Sequence, residues 1–225
     1  MNILGIETSS KLASVALLED ERVIREETLG TETRHSQDLV PCVGRVLGPQ
    51  KDAVDLVAIG SGPGSYTGLR IGATFAKMFC TQTDTPVVAV SSLDVIAGNV
   101  REFDRLCVVV DARLRQVYAA LYESGRGKVK GDLVARPQEV AAELEPGTQV
   151  LGDALRRYRE VFAGAGELIE DEALWRPRAS HAARLGRRRF IEEGGEDPAA
   201  LAPRYLRRPQ AEIKWEQSQN ASGPR

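Results

Sequence analysis

Histidine, cysteine and methionine are scarce in this 225-residue chain, at two, three and two residues. His35 and His181 lie 146 positions apart, so no His-x-x-x-His metal pair exists. Cys42, Cys80 and Cys107 are far apart, odd in number and form no Cys-x-x-Cys pair. That excludes a zinc ribbon and fits a reducing compartment. There is no Gly-x-Ser-x-Gly elbow, and no cysteine stands in a recognisable nucleophile context. No apolar run approaches the ~20 residues needed to cross a bilayer. The N-terminus enters Ile3-Leu4-Gly5-Ile6 with no basic leader. The expectation is a cytoplasmic protein with no membrane partner. Net charge is −2, so no global positive field would gather nucleic acid. The arginine clusters Arg156-Arg157-Arg159, Arg187-Arg188-Arg189 and Arg207-Arg208 have no interleaved aromatics and read as solvated faces before RNA contacts.

What is present is an ordinary globular balance, 42% hydrophobic and 28% charged. Asn2–Glu7, Leu12–Leu18 and Arg22–Thr28 read as strands with short joints, which favours antiparallel pairing. A helix follows from about Ser36 to Leu47, starting late or kinking at Pro41. Val54–Gly60 is a strand, Ser65 to about Thr81 a helix, and Pro86–Val90 another buried strand. Ser91 or Ser92 can cap a helix over Leu93–Val100. The pattern then partly restarts. Leu106–Val110 is a strand ending in Asp111, and Gln116–Tyr122 can pair with Lys128–Val134. Helical segments follow at Pro137–Leu144, Ala154–Phe162 and Ser180–Glu192. A boundary near residue 100 gives two α/β lobes, 1–100 and 101–225, with a tail whose Tyr205-Leu206 can dock on the first lobe.

Two segments carry the functional reading. In the turn Glu7-Thr8-Ser9-Ser10, hydroxyls and backbone N–H groups could hold a phosphate, with the carboxylate acting through a metal-bound water. A polar hairpin turn that binds nothing is the favoured local reading. The second segment is Gly62-Pro63-Gly64-Ser65-Tyr66-Thr67-Gly68-Leu69-Arg70. Gly62 and Gly64 free the backbone, Pro63 stiffens it, and Ser65 or Thr67 can cap the helix, whose first N–H groups could meet a phosphate. No Gly-Lys-Ser/Thr ends the loop, so it is not a Walker A motif.

The helix itself says more. Gly64, Gly68, Gly72 and Ala76 recur every four residues, a flat ridge that lets another backbone approach closely. Leu69, Ala73 and Phe79 form one apolar stripe, and Ile71, Phe75 and Met78 another. A helix apolar on nearly every side is buried on nearly every side. The stripe at Ile71, Phe75 and Met78 is thus expected to meet a second chain, ahead of the alternative that the second lobe covers it. On the preceding helix Leu39, Val43, Val46 and Leu47 share a face. Two such helices could pair with the same two of another subunit.

At this point a resemblance is specific. Ile3-Leu4-Gly5-Ile6-Glu7-Thr8-Ser9-Ser10, Ala13-Ser14-Val15-Ala16-Leu17, Arg34-His35-Ser36-Gln37-Asp38-Leu39-Val40-Pro41 and above all Ser61-Gly62 through Ile71-Gly72 resemble the TsaB (YeaZ) family. Val90-Ser91-Ser92-Leu93 and Pro203-Arg204-Tyr205-Leu206-Arg207 fit too, although the likeness is strong only over about residues 1–95. The resemblance implies an α/β actin/Hsp70-like fold of two lobes, each a mixed sheet flanked by helices. It implies a role in making threonylcarbamoyladenosine beside the anticodon of certain tRNAs. There TsaD transfers the group with a metal held by a His-x-x-x-His pair, TsaB is its paralogue without that chemistry, and the ATPase TsaE joins the complex. Glu7, where many TsaB chains have Asp, is the TsaD-like feature; the short length is not.

The implied function is a scaffold and activator without catalytic or metal-binding residues of its own. It would bind TsaD, pair with itself when alone, and meet tRNA only through the complex. His35, Leu39, Val43, Val46, Gly68, Leu69, Ile71, Gly72, Phe75, Ala76 and Met78 are the expected interface. The alternative is an ATPase or phosphotransferase of the same fold, with ATP or ADP and magnesium held by Glu7, Thr8, Ser9, Gly62 and Gly64. On the first reading, Gly72→Leu and Phe75→Glu should each leave the fold intact and abolish binding to TsaD.

Overall fold

Runs that are apolar without alternation belong to strands covered on both faces, and four of the five strands of the first sheet are built from them, the exposed edge strand Arg22–Thr28 excepted. The computed structural model describes residues 1–30, 35–48 and 53–207; the side chains of His35 and Ser36, and Arg208, lie outside the described residues. Strands β1 (Asn2–Glu7), β2 (Ser14–Glu19), β3 (Arg22–Thr28), β4 (Leu56–Gly60) and β5 (Val87–Val90) form one sheet in the order β3-β2-β1-β4-β5. β1, β2 and β3 pair antiparallel, whereas β1, β4 and β5 pair parallel.

Alternate residues divide the two faces. Leu4, Ile6, Val15, Leu17, Val57 and Ile59 point to α1 (His35–Leu47) and α2 (Tyr66–Thr83). Ile3, Ala16, Leu18, Leu56, Ala58 and Val88 point to the other side, against the late helix α6 (Ala179–Glu193). α1 runs through Pro41. Ser65 caps α2, accepting the Gly68 N–H at 3.3 Å. The short helix α3 (Ser92–Ala97) follows β5, with Ser91 as its cap.

The second sheet repeats the plan. β6 (Arg105–Arg113), β7 (Gln116–Glu123) and β8 (Gly127–Ala135) are antiparallel, and β9 (Thr148–Leu151) and β10 (Glu167–Leu168) add in parallel, giving β10-β9-β6-β7-β8. α4 (Pro137–Ala142) and α5 (Leu155–Ala163) complete it, with Val140, Leu155 and Phe162 in its core. The sequence reading missed β9 and β10, which span four and two residues and carry no periodic signal.

The boundary near residue 100 needs correction at the far end of the chain. α6 is not part of the second lobe: Ala179, Ala182 and Ala183 pack in the first sheet's core. Past α6, the Glu196 N–H donates to the Val87 carbonyl at 2.8 Å, and Leu201 is buried beside Leu4 and Val87. No described helix is long and apolar enough to cross a membrane.

α6 sits so close to β1 that a Cβ on Gly5 would overlap the Ala179 carbonyl, which is backbone and cannot swing away. Gly5→Val should therefore lower the unfolding free energy by about 1–3 kcal/mol or more, read in urea denaturation. A wild-type midpoint in that variant would show that α6 does not seal the sheet.

Candidate functional site

The site grows from the end of β1. The chain delivers Glu7 to a position with no solvent exposure. A buried carboxylate needs donors, and two are present. The Ser9 N–H donates to Oε1 at 2.7 Å and the Ser92 hydroxyl to Oε2 at 3.0 Å. Ser92 Oγ in turn accepts the Gly62 N–H at 3.2 Å. Gly60 lies against the carboxylate with no room for a Cβ. Burial pushes the Glu7 carboxyl above its ordinary 4.5, against the lowering pull of its hydrogen bonds. Gly62 holds φ at +111°, a conformation that favours glycine.

The next residues meet α2. The Ser65 N–H donates to the Ser9 carbonyl at 2.6 Å. A Cβ on Gly68 would overlap the Thr8 carbonyl, one on Gly72 the Thr8 hydroxyl, and one on Gly64 the Ser9 carbonyl. Thr8 Oγ1 is buried there with no hydrogen-bond partner. The four-residue glycine spacing does bring a second backbone close, but that backbone is the chain's own turn.

This placement corrects several expectations. Leu39, Val43, Val46, Leu69 and Ala76 are all under 5% exposed, inside the chain's own core, and Gly68 and Gly72 are covered by Thr8. They offer no outward surface, because α1 and α2 bury those faces on the first sheet. Ile71 and Phe75 are only partly covered and Met78 is 69% exposed, with Val40 of α1 at 60%. Phe75 and Phe79 stack at 5.8 Å between ring centroids. The His35 side chain lies outside the described residues.

A cleft of about 680 Å³ opens beside this turn, between the two sheets. Ser9, Ser10, Lys11, Gly64 and Tyr66 line one wall, Asp111, Arg113, Asp153, Arg156 and Arg157 the other, and Trp175 and Pro177 also border it. Asp153 accepts the Asp111 N–H at 2.9 Å, and burial raises its carboxyl above the ordinary value. Asp111 accepts both the Arg113 N–H at 2.8 Å and its guanidinium at 3.3 Å. Arg156 engages Glu172. Sequence reasoning placed Asp111 only as the end of a strand and took the 156–159 arginines for a solvated face, and it did not single out Asp153 or Trp175. The available signal was repetition: an apolar strand ending in a carboxylate occurs once in each half, at Glu7 and Asp111.

Of the residues expected to hold a nucleotide, only Ser9 and Gly64 reach this cleft. Glu7, Thr8 and Gly62 are buried behind it, and both Glu7 oxygens are already engaged. The acid-and-hydroxyl cradle for ATP with magnesium is therefore not formed by these residues. His181 is half-buried, with burial first and then Arg184 and Arg178 lowering its pKa. Among the described residues no three His, Cys, Asp or Glu side chains gather to hold a metal.

Against known proteins, residues 29–215 match the family model described as TsaD, tRNA N6-adenosine threonylcarbamoyltransferase. The Bacillus subtilis tRNA threonylcarbamoyladenosine biosynthesis protein TsaB is 35% identical over 97% of this chain and 100% of its own. The chain belongs to the TsaB family. The Escherichia coli TsaB is 26% identical over 92% of this chain and 95% of its own. YeaZ from Pseudomonas aeruginosa superposes with a TM-score of 0.79 at 27% identity, covering 91% of this chain and 99% of that one. A ROK family protein from Streptococcus pneumoniae, TM-score 0.52 at 11% identity, covers 86% and 99% and shares the fold alone. The two-lobed actin/Hsp70-like architecture expected from the TsaB resemblance is the one found.

Two outcomes follow for this TsaB-family turn. Gly72→Leu should destabilise the fold itself, since Thr8 and Ile59 leave no room; a drop of about 1–3 kcal/mol or more in urea unfolding is expected. An unchanged midpoint would contradict the packing. Burial raises the Glu7 carboxyl above its ordinary 4.5 in the folded chain, so its proton is released at higher pH there than in the unfolded chain. Its contribution is complete below pH 4.5 and falls as pH rises through the raised value. Glu7→Gln should flatten the decline of unfolding free energy as pH rises above 4.5; an identical slope would refute it.

Proposed function

We propose that this chain is a partner-binding scaffold and activator in threonylcarbamoyladenosine formation on tRNA, docking on TsaD through the outer face of α1 and α2. The observation that carries the reading is the apolar strip Ile71, Phe75 and Met78, partly to largely exposed on a helix whose opposite face, from Gly68 and Leu69 to Ala76 and Cys80, is buried. Positions i, i+4 and i+7 line up along a helix, so the three present one continuous strip. Val40 on the adjacent α1 is also exposed and apolar. The TsaB relatives support the pathway, and the match to the TsaD model supports a fold shared between the two partners.

The same face would serve a homodimer when TsaD is absent, because paired strips bury the same apolar area either way. TsaE would join the assembled complex, and tRNA would meet this chain through its partner. The second reading, an ATPase or phosphotransferase, draws its support from the cleft beside Ser9, Ser10 and Lys11. The engaged and buried Glu7 carboxylate weighs against it.

Phe75→Glu and Met78→Glu change a partly covered and an exposed position, so both variants should melt within a few degrees of the parent. Each should weaken binding to TsaD from the same organism by ~30-fold or more, the effect of losing a hot spot of about 2 kcal/mol. Size-exclusion chromatography with titration of TsaD checks this. A complex of parental affinity in both variants overturns the reading. Calorimetry with ATP and magnesium separates the two functions: tight binding abolished by Glu7→Gln would favour the enzyme.

A further inference from the structure

The chain crosses between the two sheets at residues 98–104, from α3 to β6, and at residues 169–178, from β10 to α6. Asn99 ties these crossings together, donating from Nδ2 to the Leu174 carbonyl at 2.7 Å and the Arg176 carbonyl at 2.8 Å. Trp175 and Pro177 of the second crossing border the cleft. That rim is covalent and cannot part.

A third link, made without a covalent crossing, lies elsewhere on the cleft. Residues 201–207 run from the first sheet's core at Leu201 back across to the second lobe. The Arg204 N–H donates to the Ser61 carbonyl at 2.7 Å, anchoring the segment to the glycine loop. The Arg204 guanidinium reaches Asp132 of β8 at 3.0 Å, and Arg207 donates to the Ala112 carbonyl of β6 at 2.7 Å. The Tyr205 ring lies 4.8 Å from that of Tyr66, and its hydroxyl accepts from Arg70 Nε at 3.2 Å. Tyr66 and Ala112 both line the cleft. The segment does not line the cleft itself but holds one lining residue from each lobe, Tyr66 through Tyr205 and Ala112 through Arg207.

The charges around Asp132 explain how the link holds. The Asp132 carboxylate has no exposed side-chain surface and lies between Lys128 at 2.7 Å and Arg204. Lys128 also meets Asp94 of α3, which accepts the Tyr122 hydroxyl at 2.7 Å. Two cations and two carboxylates balance. Withdrawing Arg204 leaves a buried carboxylate sharing one lysine with Asp94, an arrangement that burial penalises. Arg204 itself is about half exposed, so the pair is buried on the Asp132 side and open to water on the other.

We propose that residues 201–207 act as a latch on the cleft: Arg204 on Asp132, Arg207 on Ala112 and Tyr205 on Tyr66 hold the lobes together away from the crossings at 98–104 and 169–178, and their release lets the lobes part about those crossings. The inference concerns this chain alone and stands whether or not α2 docks on TsaD. It identifies Arg204 and Tyr205 as positioning residues for the opening of the cleft.

Spin labels on Lys11→Cys and Arg157→Cys, one on each wall, test it in the full chain. The three native cysteines are buried, so labelling is confined to the introduced pair. Double electron–electron resonance should give one narrow distance distribution in the parent. Arg204→Ala and Tyr205→Ala should each broaden it and move it to longer distance, whereas Arg126→Ala, which breaks the exposed pair with Glu123, should not. Thermal melts run in parallel. A parental distribution in both latch variants overturns the proposal, even if their melting temperatures fall, because the segment would then staple the fold without governing the cleft.

Discussion

A carboxylate with no access to water has to be surrounded by donors or lose its charge, and the placement of Glu7 imposes that demand on the centre of this protein. Its two oxygens take the Ser9 N–H and the Ser92 hydroxyl, which draws together the β1 turn and the first residue of α3. Ser92 passes the constraint on to Gly62. The loop so fixed sets where α2 begins, with the Ser65 N–H on the Ser9 carbonyl. Thr8 then lies along the glycines of α2 at a spacing that excludes any Cβ. The outward strip of α2 is what remains once that inner face has been fitted to the turn.

The two sheets share one strand order, three antiparallel strands and two added in parallel. Their surroundings differ. The first sheet is covered on both faces and recruits α6 from the far end of the chain to complete its core. A sheet whose alternate residues are apolar on both sides cannot leave either side open to water, so the chain has to return. That return, at residues 169–178, runs beside the outward crossing at 98–104, to which Asn99 ties it, and brings the 201–207 segment back across to β6 and β8. The cleft is thus framed by the same requirement that buries Ile3, Leu18 and Val88.

Much of the fold was legible. The uninterrupted apolar runs of β1, β4 and β5 marked covered strands, and the short joints around β2 marked antiparallel pairing. The cap at Ser65 and the helix after it followed from local chemistry. β9 and β10 were not legible, since four and two residues show no period. The four-residue glycine spacing was read correctly as close approach, but Gly68 and Gly72 were assigned to a second subunit. An absent Cβ looks the same in the sequence whether the approaching backbone is a partner or, as here, residues 8 and 9 of the same chain.

By itself the sequence determined the longer elements, β9 and β10 excepted, because hydrophobic period, capping and turn chemistry act over a few residues. It also carried the motif that marks the TsaB family. Only the tertiary structure decided which apolar side chains face outward, that Glu7 turns inward away from the cleft, and that Arg204 meets Asp132. Those outcomes depend on contacts between residues 72 to 85 positions apart in the chain, a separation over which local pattern carries no information about which groups will meet.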